Sequence, residues 1–220
     1  MWSYYGGKGR IVKLYPKPEY EKIIEPFAGS AKYALKYWDR DVTLVDKYDV
    51  VIDIWKWLRL CSKDDIKRFP MLKKGDHIDN VKWDCREMKL LAGFIYGYGR
   101  RSPQSSNSCK DHEFNKVIER IANNVDKIRH WKFVNVSYES LPNYKATWFI
   151  DPPYQDRGIR YVCNSKQIDY EQLSDWCMSR YGQVIVCEAS GANWLPFEPL
   201  CESVSSRCSK YTEVMFHLNR

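Results

Sequence analysis

The run Ile23-Ile24-Glu25-Pro26-Phe27-Ala28-Gly29-Ser30-Ala31 decides the fold. Two β-branched residues lead into a proline and a glycine, which reads as a strand ending in a turn. Beyond the turn, Ala31, Ala34, Leu35 and Trp38 recur at helical spacing. Val42-Thr43-Leu44-Val45 is again strand-like and stops at Asp46. Strand, glycine turn, helix, strand and terminal acid form the opening of a nucleotide-binding βαβ unit.

Outward from this unit the pattern changes and then returns. Ile54, Trp57, Leu58 and Cys61 follow helical spacing, as do Met88, Leu91, Ala92 and Ile95, and then Phe114 to Ile128. Pro70 and Gly75 break the first pair of helices, and residues 97–108 are a loop by composition. No strand-like run lies between Asp53 and Trp131. Strands reappear at Phe133–Val136, Thr147–Ile150, Gln183–Cys187 and Glu213–Asn219, with a helix carrying Leu173, Trp176 and Cys177 between two of them. Strands alternating with helices predict an α/β fold with a doubly wound, mostly parallel sheet. Residues 1–54 and 131–220 are expected to form its core, and 55–130 a helical insert.

Composition bounds the reading. A chain of 220 residues buries a full core without disulfide or metal staples. Mean hydropathy of −0.58 and the lack of a long apolar run exclude a membrane span. The start, Met1-Trp2-Ser3-Tyr4-Tyr5, is not expected to be a signal peptide. Eight cysteines without a Cys-x-x-Cys pair suggest reduced thiols in an intracellular protein. Cys109-x-x-His112 is the only hint of zinc spacing, and no metal is expected. The net charge of +7 is not spread evenly: residues 55–131 hold 17 Lys/Arg against 10 Asp/Glu, and the remainder is balanced. Such a segment suits a polyanionic partner.

The most informative chemistry is Asp151-Pro152-Pro153-Tyr154, which follows a strand and therefore stands where open α/β sheets place ligands. Asp151 offers an acceptor for an amino group. Pro152 lacks an N–H and directs the carbonyl before it. Tyr154 offers a ring for stacking a planar base. Gly29 lets backbone approach a ligand, and Asp46 is placed to accept from ribose hydroxyls. Gly6-Gly7-Lys8 adds mobile backbone and a cation.

In combination these segments resemble the Dam-type (D12 class) DNA adenine-N6 methyltransferases, over most of the chain outside the insert. Tyr4-Tyr5-Gly6-Gly7-Lys8 is similar to the family's N-terminal motif. Residues Glu25 to Ala31 resemble its S-adenosylmethionine loop, with Ala31 where a further glycine is common. Asp46 matches the ribose-binding acid, and Val136-Ser137-Tyr138 the segment bordering the cofactor adenine. Asp151 to Tyr154 match the catalytic motif, Tyr161 a tyrosine after it, and Glu213–Asn219 the closing strand of a seven-stranded sheet. The order of parts, with a short helical target-recognition insert, is that of the family's α arrangement.

The resemblance implies S-adenosylmethionine as cofactor, double-stranded DNA as partner, and a flipped adenine as acceptor. It implies cofactor-binding roles for Tyr4, Gly7, Lys8, Glu25, Phe27, Gly29, Ser30, Asp46, Ser137, Tyr138 and Asp151. Lys8 is expected to meet the cofactor's methionine carboxylate, and Tyr154 to stack on the base. Arg100 and Arg101 are expected at the DNA groove, and Lys73, Lys74 and Lys110 at phosphates. A cytoplasmic bacterial or phage enzyme, a monomer or weak dimer, follows, with or without a restriction partner. Three alternatives stay open: the same fold on cytosine N4, RNA adenine or a protein amide; a non-catalytic DNA-binding module; and an unrelated nucleotide enzyme, although no Gly-rich loop with Lys-Ser/Thr supports ATP.

Overall fold

A computed structural model of the chain describes residues 1–73, 75–97, 100–108, 111–204 and 210–220. Its described strands are β1 (Lys22–Glu25), β2 (Asp41–Val45), β3 (Lys132–Val134), β4 (Ala146–Ile150), β5 (Gly182–Ala189), β6 (Glu198–Val204) and β7 (Lys210–Asn219). They form one sheet in the order β3-β2-β1-β4-β5-β7-β6. The first five neighbours run parallel, with Ile23 opposite Val42 on one side and Thr147 on the other. β7 lies antiparallel between β5 and β6, so the sheet is mixed. The chain steps outward from β1 to β2 and β3, then returns to β4 on the opposite flank of β1. That reversal opens a crevice at the carboxyl ends of β1 and β4, the position where such sheets take ligands.

The described helices are α1 (Lys32–Lys36), α2 (Asp49–Leu60), α3 (Lys63–Lys67), α4 (Arg86–Tyr96), α5 (Asp111–Ala122) and α6 (Tyr170–Met178). Alternation along β4 shows why they are needed on both faces of the sheet. Ala146, Trp148 and Ile150 enter one core with Leu173, Trp176 and Cys177 of α6. Phe149 enters the opposite core and stacks on Tyr33 of α1 at 4.2 Å. A sheet buried on both faces has near-continuous apolar strands, as β4 and β5 do.

Trp55 joins the helical segment to the sheet. Fully buried, its ring packs on Trp2 at 4.9 Å, Trp131 at 5.8 Å and Phe133 at 6.0 Å. The boundary expected at 54/55 thus falls inside one continuous helix, α2, whose core is shared with the sheet. Within the segment, Tyr96 of α4 stacks on Phe114 of α5 at 4.8 Å. Its hydroxyl accepts from the Leu72 amide at 2.9 Å and donates to the Pro70 carbonyl at 2.5 Å. The side-chain amide of Asn107 donates to the carbonyls of Leu72 and Lys73, and the Ile78 amide donates to the Ser105 carbonyl. Two loops are thereby clamped together.

Several elements differ from expectation. α1 has only five residues: Ala31 precedes it at φ 45°, in the left-handed region, and Trp38 lies past its end, 40% exposed. α5 stops at Ala122, where Asn123 and Asn124 interrupt it before a 3₁₀ turn at Val125–Ile128. β3 ends at Val134 because the Asn135 side chain donates to the carbonyls of Asp46 and Lys47. β6 has no counterpart among the strands read from residue patterns. It carries Pro199 and a bulge before Cys201, irregularities that an edge strand tolerates. Among the described residues, no helix is long and apolar enough to cross a membrane.

Replacing Trp55 with alanine removes the ring shared by helices and sheet. We expect a loss of about 3–5 kcal/mol in urea unfolding.

Candidate active site

A cleft of about 980 Å³, counting its open mouth, occupies the crevice between the ends of β1 and β4. The turn after β1 forms one wall. The Ala28 amide donates to the Val45 carbonyl at 2.9 Å, and the Gly29 amide to Asp46 Oδ2 at 3.0 Å. Asp46 Oδ1 accepts from the Tyr48 amide at 2.9 Å. Gly29 (φ 44°) and Ala31 (φ 45°) both curl left-handed, which reverses the chain into α1. A Cβ on Gly29 would stand 3.0 Å from the Tyr4 ring, so glycine is needed there for conformation and for space. Trp55 Nε1 donates to the Gly29 carbonyl at 2.9 Å and fixes the turn from behind.

Two carboxyl groups in this wall are perturbed. Burial pushes Asp46 up to about 6, against the two backbone donors. Burial likewise pushes Glu25 up to about 8, although its Oε1 accepts from the Ala34 amide at 2.6 Å. Aromatic faces bound the cleft beyond them: Phe27 packs on Tyr138 at 5.5 Å, and Tyr138 lies edge-on to Trp176. Ser137, Ser30 and Gly7 also line the cleft, and the Ser137 hydroxyl donates to the Glu139 carboxylate.

Asp151 stands at the end of β4. Lys8 Nζ meets its Oδ1 at 2.7 Å and reaches Glu213 Oε1 of β7 at 3.4 Å. The same Glu213 oxygen accepts from Tyr15 at 2.8 Å and from the Tyr154 hydroxyl. The Lys8 ammonium also lies 4.5 Å above the Tyr154 ring. Burial alone would lower the Lys8 pKa, but Asp151 and Glu213 outweigh it and hold the ammonium well above its ordinary value. Asp151 is pushed up to about 6 by burial; Lys8 opposes the rise and Glu213 adds to it. Downstream, Gly158 packs against the Pro153 backbone, the Tyr170 hydroxyl donates to the Pro153 carbonyl, and Tyr161 donates to the Tyr5 carbonyl at 3.1 Å.

The structure gathers every cofactor-site candidate around this cleft: Tyr4, Gly7, Lys8, Glu25, Phe27, Gly29, Ser30, Asp46, Ser137, Tyr138 and Asp151. Pro153 also lines it, whereas Pro152 is buried outside the lining. Two orientations differ from expectation. Tyr154 is turned inward, 9% exposed, with its ring under Lys8 and its hydroxyl on Glu213, so it offers no open face to a base. Lys8 is engaged by the partly exposed Asp151 and the buried Glu213 instead of standing apart as a separate anion contact. Tyr5 and Tyr161, whose rings meet edge-on at 5.1 Å, line the cleft. Glu213, Tyr15 and Glu188 escaped the sequence reading as site residues. Glu188 takes the amides of Gln155 and Ala189 and the Trp194 indole N–H, tying the segment after Tyr154 to β5.

Lys73, Arg100 and Arg101 are exposed on the two clamped loops. Lys74, Lys110 and Cys109 lie outside the described residues. Among the described residues, no three His, Cys, Asp or Glu side chains converge to hold a metal.

Glu25 gives a test with a definite sign. Its folded pKa is raised above the ordinary 4.5, so its contribution to stability is full at low pH and is lost as pH rises toward about 8. Glu25→Gln keeps the acceptor for Ala34 and removes the ionisation. The variant should gain about 2–4 kcal/mol over the parent between pH 5 and pH 8 in paired urea titrations. A constant difference across that range would reject the assignment. No known family model matches the chain, and no curated protein matches it.

Proposed function

We propose that the protein is an S-adenosylmethionine-dependent methyltransferase acting on N6 of a flipped adenine in DNA. The observation that carries this reading is the placement of Asp151 in one cleft with Glu25, Asp46 and Tyr138, at the reversal point of the sheet. The antiparallel β7 between β5 and β6 supports it too, since Glu213–Asn219 resembles the family's closing strand.

The residues present fit the cofactor. The acids Glu25 and Asp46 suit an amino acid ammonium and ribose hydroxyls, Glu25 ionising as the ammonium approaches it, and the rings of Phe27 and Tyr138 suit a purine. The left-handed turn at Gly29 brings backbone to the cleft wall. S-Adenosylmethionine supplies a methyl group on a cationic sulfur. Asp151 accepts from the exocyclic amine and so orients the nitrogen lone pair. Lys8 keeps Asp151 in place, and the carboxylate stabilises positive charge developing on the nitrogen. Tyr5 and Tyr161 meet the planar base, a contact of roughly 1–3 kcal/mol. Lys73, Arg100 and Arg101, on loops joined through Tyr96 and Asn107, meet the phosphate backbone as one surface.

Labelled S-adenosylmethionine, incubated with DNA, RNA and protein acceptors, tests the assignment directly. Label should enter DNA at adenine N6; label only in RNA, protein or cytosine would replace the acceptor, and none at all would overturn the reading. Asp151→Ala should lower methyl transfer at least about 100-fold while cofactor binding by calorimetry largely survives. In DNA titrations from 50 to 200 mM salt, Arg100→Ala/Arg101→Ala should flatten the log–log slope by about 2. An unchanged slope would remove these arginines from the interface.

A further inference from the structure

Glu213 stands out among the described residues as a fully buried acid on a strand that carries none of the cleft motifs. Its Oε1 accepts from Tyr15 and Tyr154 and takes the Lys8 ammonium at 3.4 Å, while its Oε2 has no hydrogen-bond partner. A carboxylate removed from water at such cost, with one oxygen unsatisfied, calls for a compensating role. Lys8 has two acids within reach, Asp151 at 2.7 Å and Glu213 at 3.4 Å, so the acids stand no more than about 6 Å apart across one cation.

We propose that Glu213 is a positioning residue: it divides the charge of Lys8 between itself and Asp151, leaving Asp151 only partly neutralised and fixed in orientation at the cleft. Two carboxylates about one ammonium carry a net negative charge. A simple Lys8–Asp151 pair would present the cleft with none. In catalysis, and here the inference rests on the proposed function, that residual charge faces a cationic methyl donor and an amine gaining positive charge. The other groups coupled to Asp151 are Tyr154 and Tyr161 downstream of it, Tyr15 on the N-terminal segment, Cys187 and Glu188 on β5, and Glu25 on β1. None of the acids in this group pairs with Lys8, whereas Glu213 does.

The test is the titration of Asp151 in the free 220-residue chain, read by carboxyl ¹³C NMR and assigned by its loss in Asp151→Asn. The parent should titrate near 6. Glu213→Gln keeps the acceptor for Tyr15 and Tyr154 but gives Lys8 wholly to Asp151, so the midpoint should fall by about one unit or more. Lys8→Met should move it the other way. In the double variant, the effect of Glu213→Gln should differ from its effect in the parent, because the shared cation is gone. If Glu213→Gln fails to fold, Glu213→Asp, which draws the charge back from Lys8, should lower the midpoint by less. A midpoint within a few tenths of the parent's in the folded variant, or one that rises, overturns the inference.

Kinetics separates this inference from the functional reading. In Glu213→Gln the acid limb of the methyl-transfer profile should move down with the NMR midpoint, with kcat reduced about 10-fold at pH 8 and cofactor KM little changed. An inactive parent whose Asp151 shifts as described would sink the methyltransferase reading and leave the charge division standing. An active parent with an immobile Asp151 would do the reverse.

Discussion

A buried ammonium must find negative partners, and the Lys8 ammonium finds them on segments remote in the chain. Residue 8 on the N-terminal segment, residue 151 at the end of β4 and residue 213 on β7 meet at one point. Removing Lys8 would leave two acids without their cation, so the three segments are held together beside the cleft. The antiparallel placement of β7 is what brings Glu213 there, with Glu213 directly opposite Ala189 of β5. Sheet topology and site electrostatics are therefore one arrangement seen at two scales.

The opposite wall depends on backbone geometry. Asp46 uses both oxygens to hold the amides of Gly29 and Tyr48, and Trp55 holds the Gly29 carbonyl. The carboxylate thus shapes the turn and still has lone pairs toward the cleft. Ala31, at a positive φ without being glycine, shows that the surroundings over-determine this turn. The indole that fixes the turn also carries the packing between α2 and the sheet, so the helical segment and the turn share a support.

Much of this was legible from residues because it rests on local signals. The run from Ile23 to Asp46, the apolar β4 and the motif from Asp151 to Tyr154 each announce strand, turn or acid within a few positions. What escaped depends on contacts distant in sequence. The motif marks Tyr154 as a ring able to stack on a base, but its orientation is set by Glu213, 59 residues away, and by Lys8. In the sequence Glu213 is simply the first residue of the last strand; its pairing opposite Ala189 of β5 is what sets its place. The helix expected from Ala31 to Trp38 begins one residue later because Ala31 is left-handed, and it ends at Lys36 where Tyr37 leaves helical geometry, neither of which spacing can reveal. β6 hid behind Pro199 and a bulge, since edge strands follow looser rules.

That same irregular strand has a bearing on how the chain behaves among copies of itself. β6 forms one open margin of the sheet, and an unpaired margin is a template onto which another strand can zip. Pro199 lacks the amide such zipping needs, and the displaced register at Cys201 bends the line of remaining donors and acceptors. The sheet is thus guarded at this margin against edge-to-edge growth by one missing amide and one irregular register.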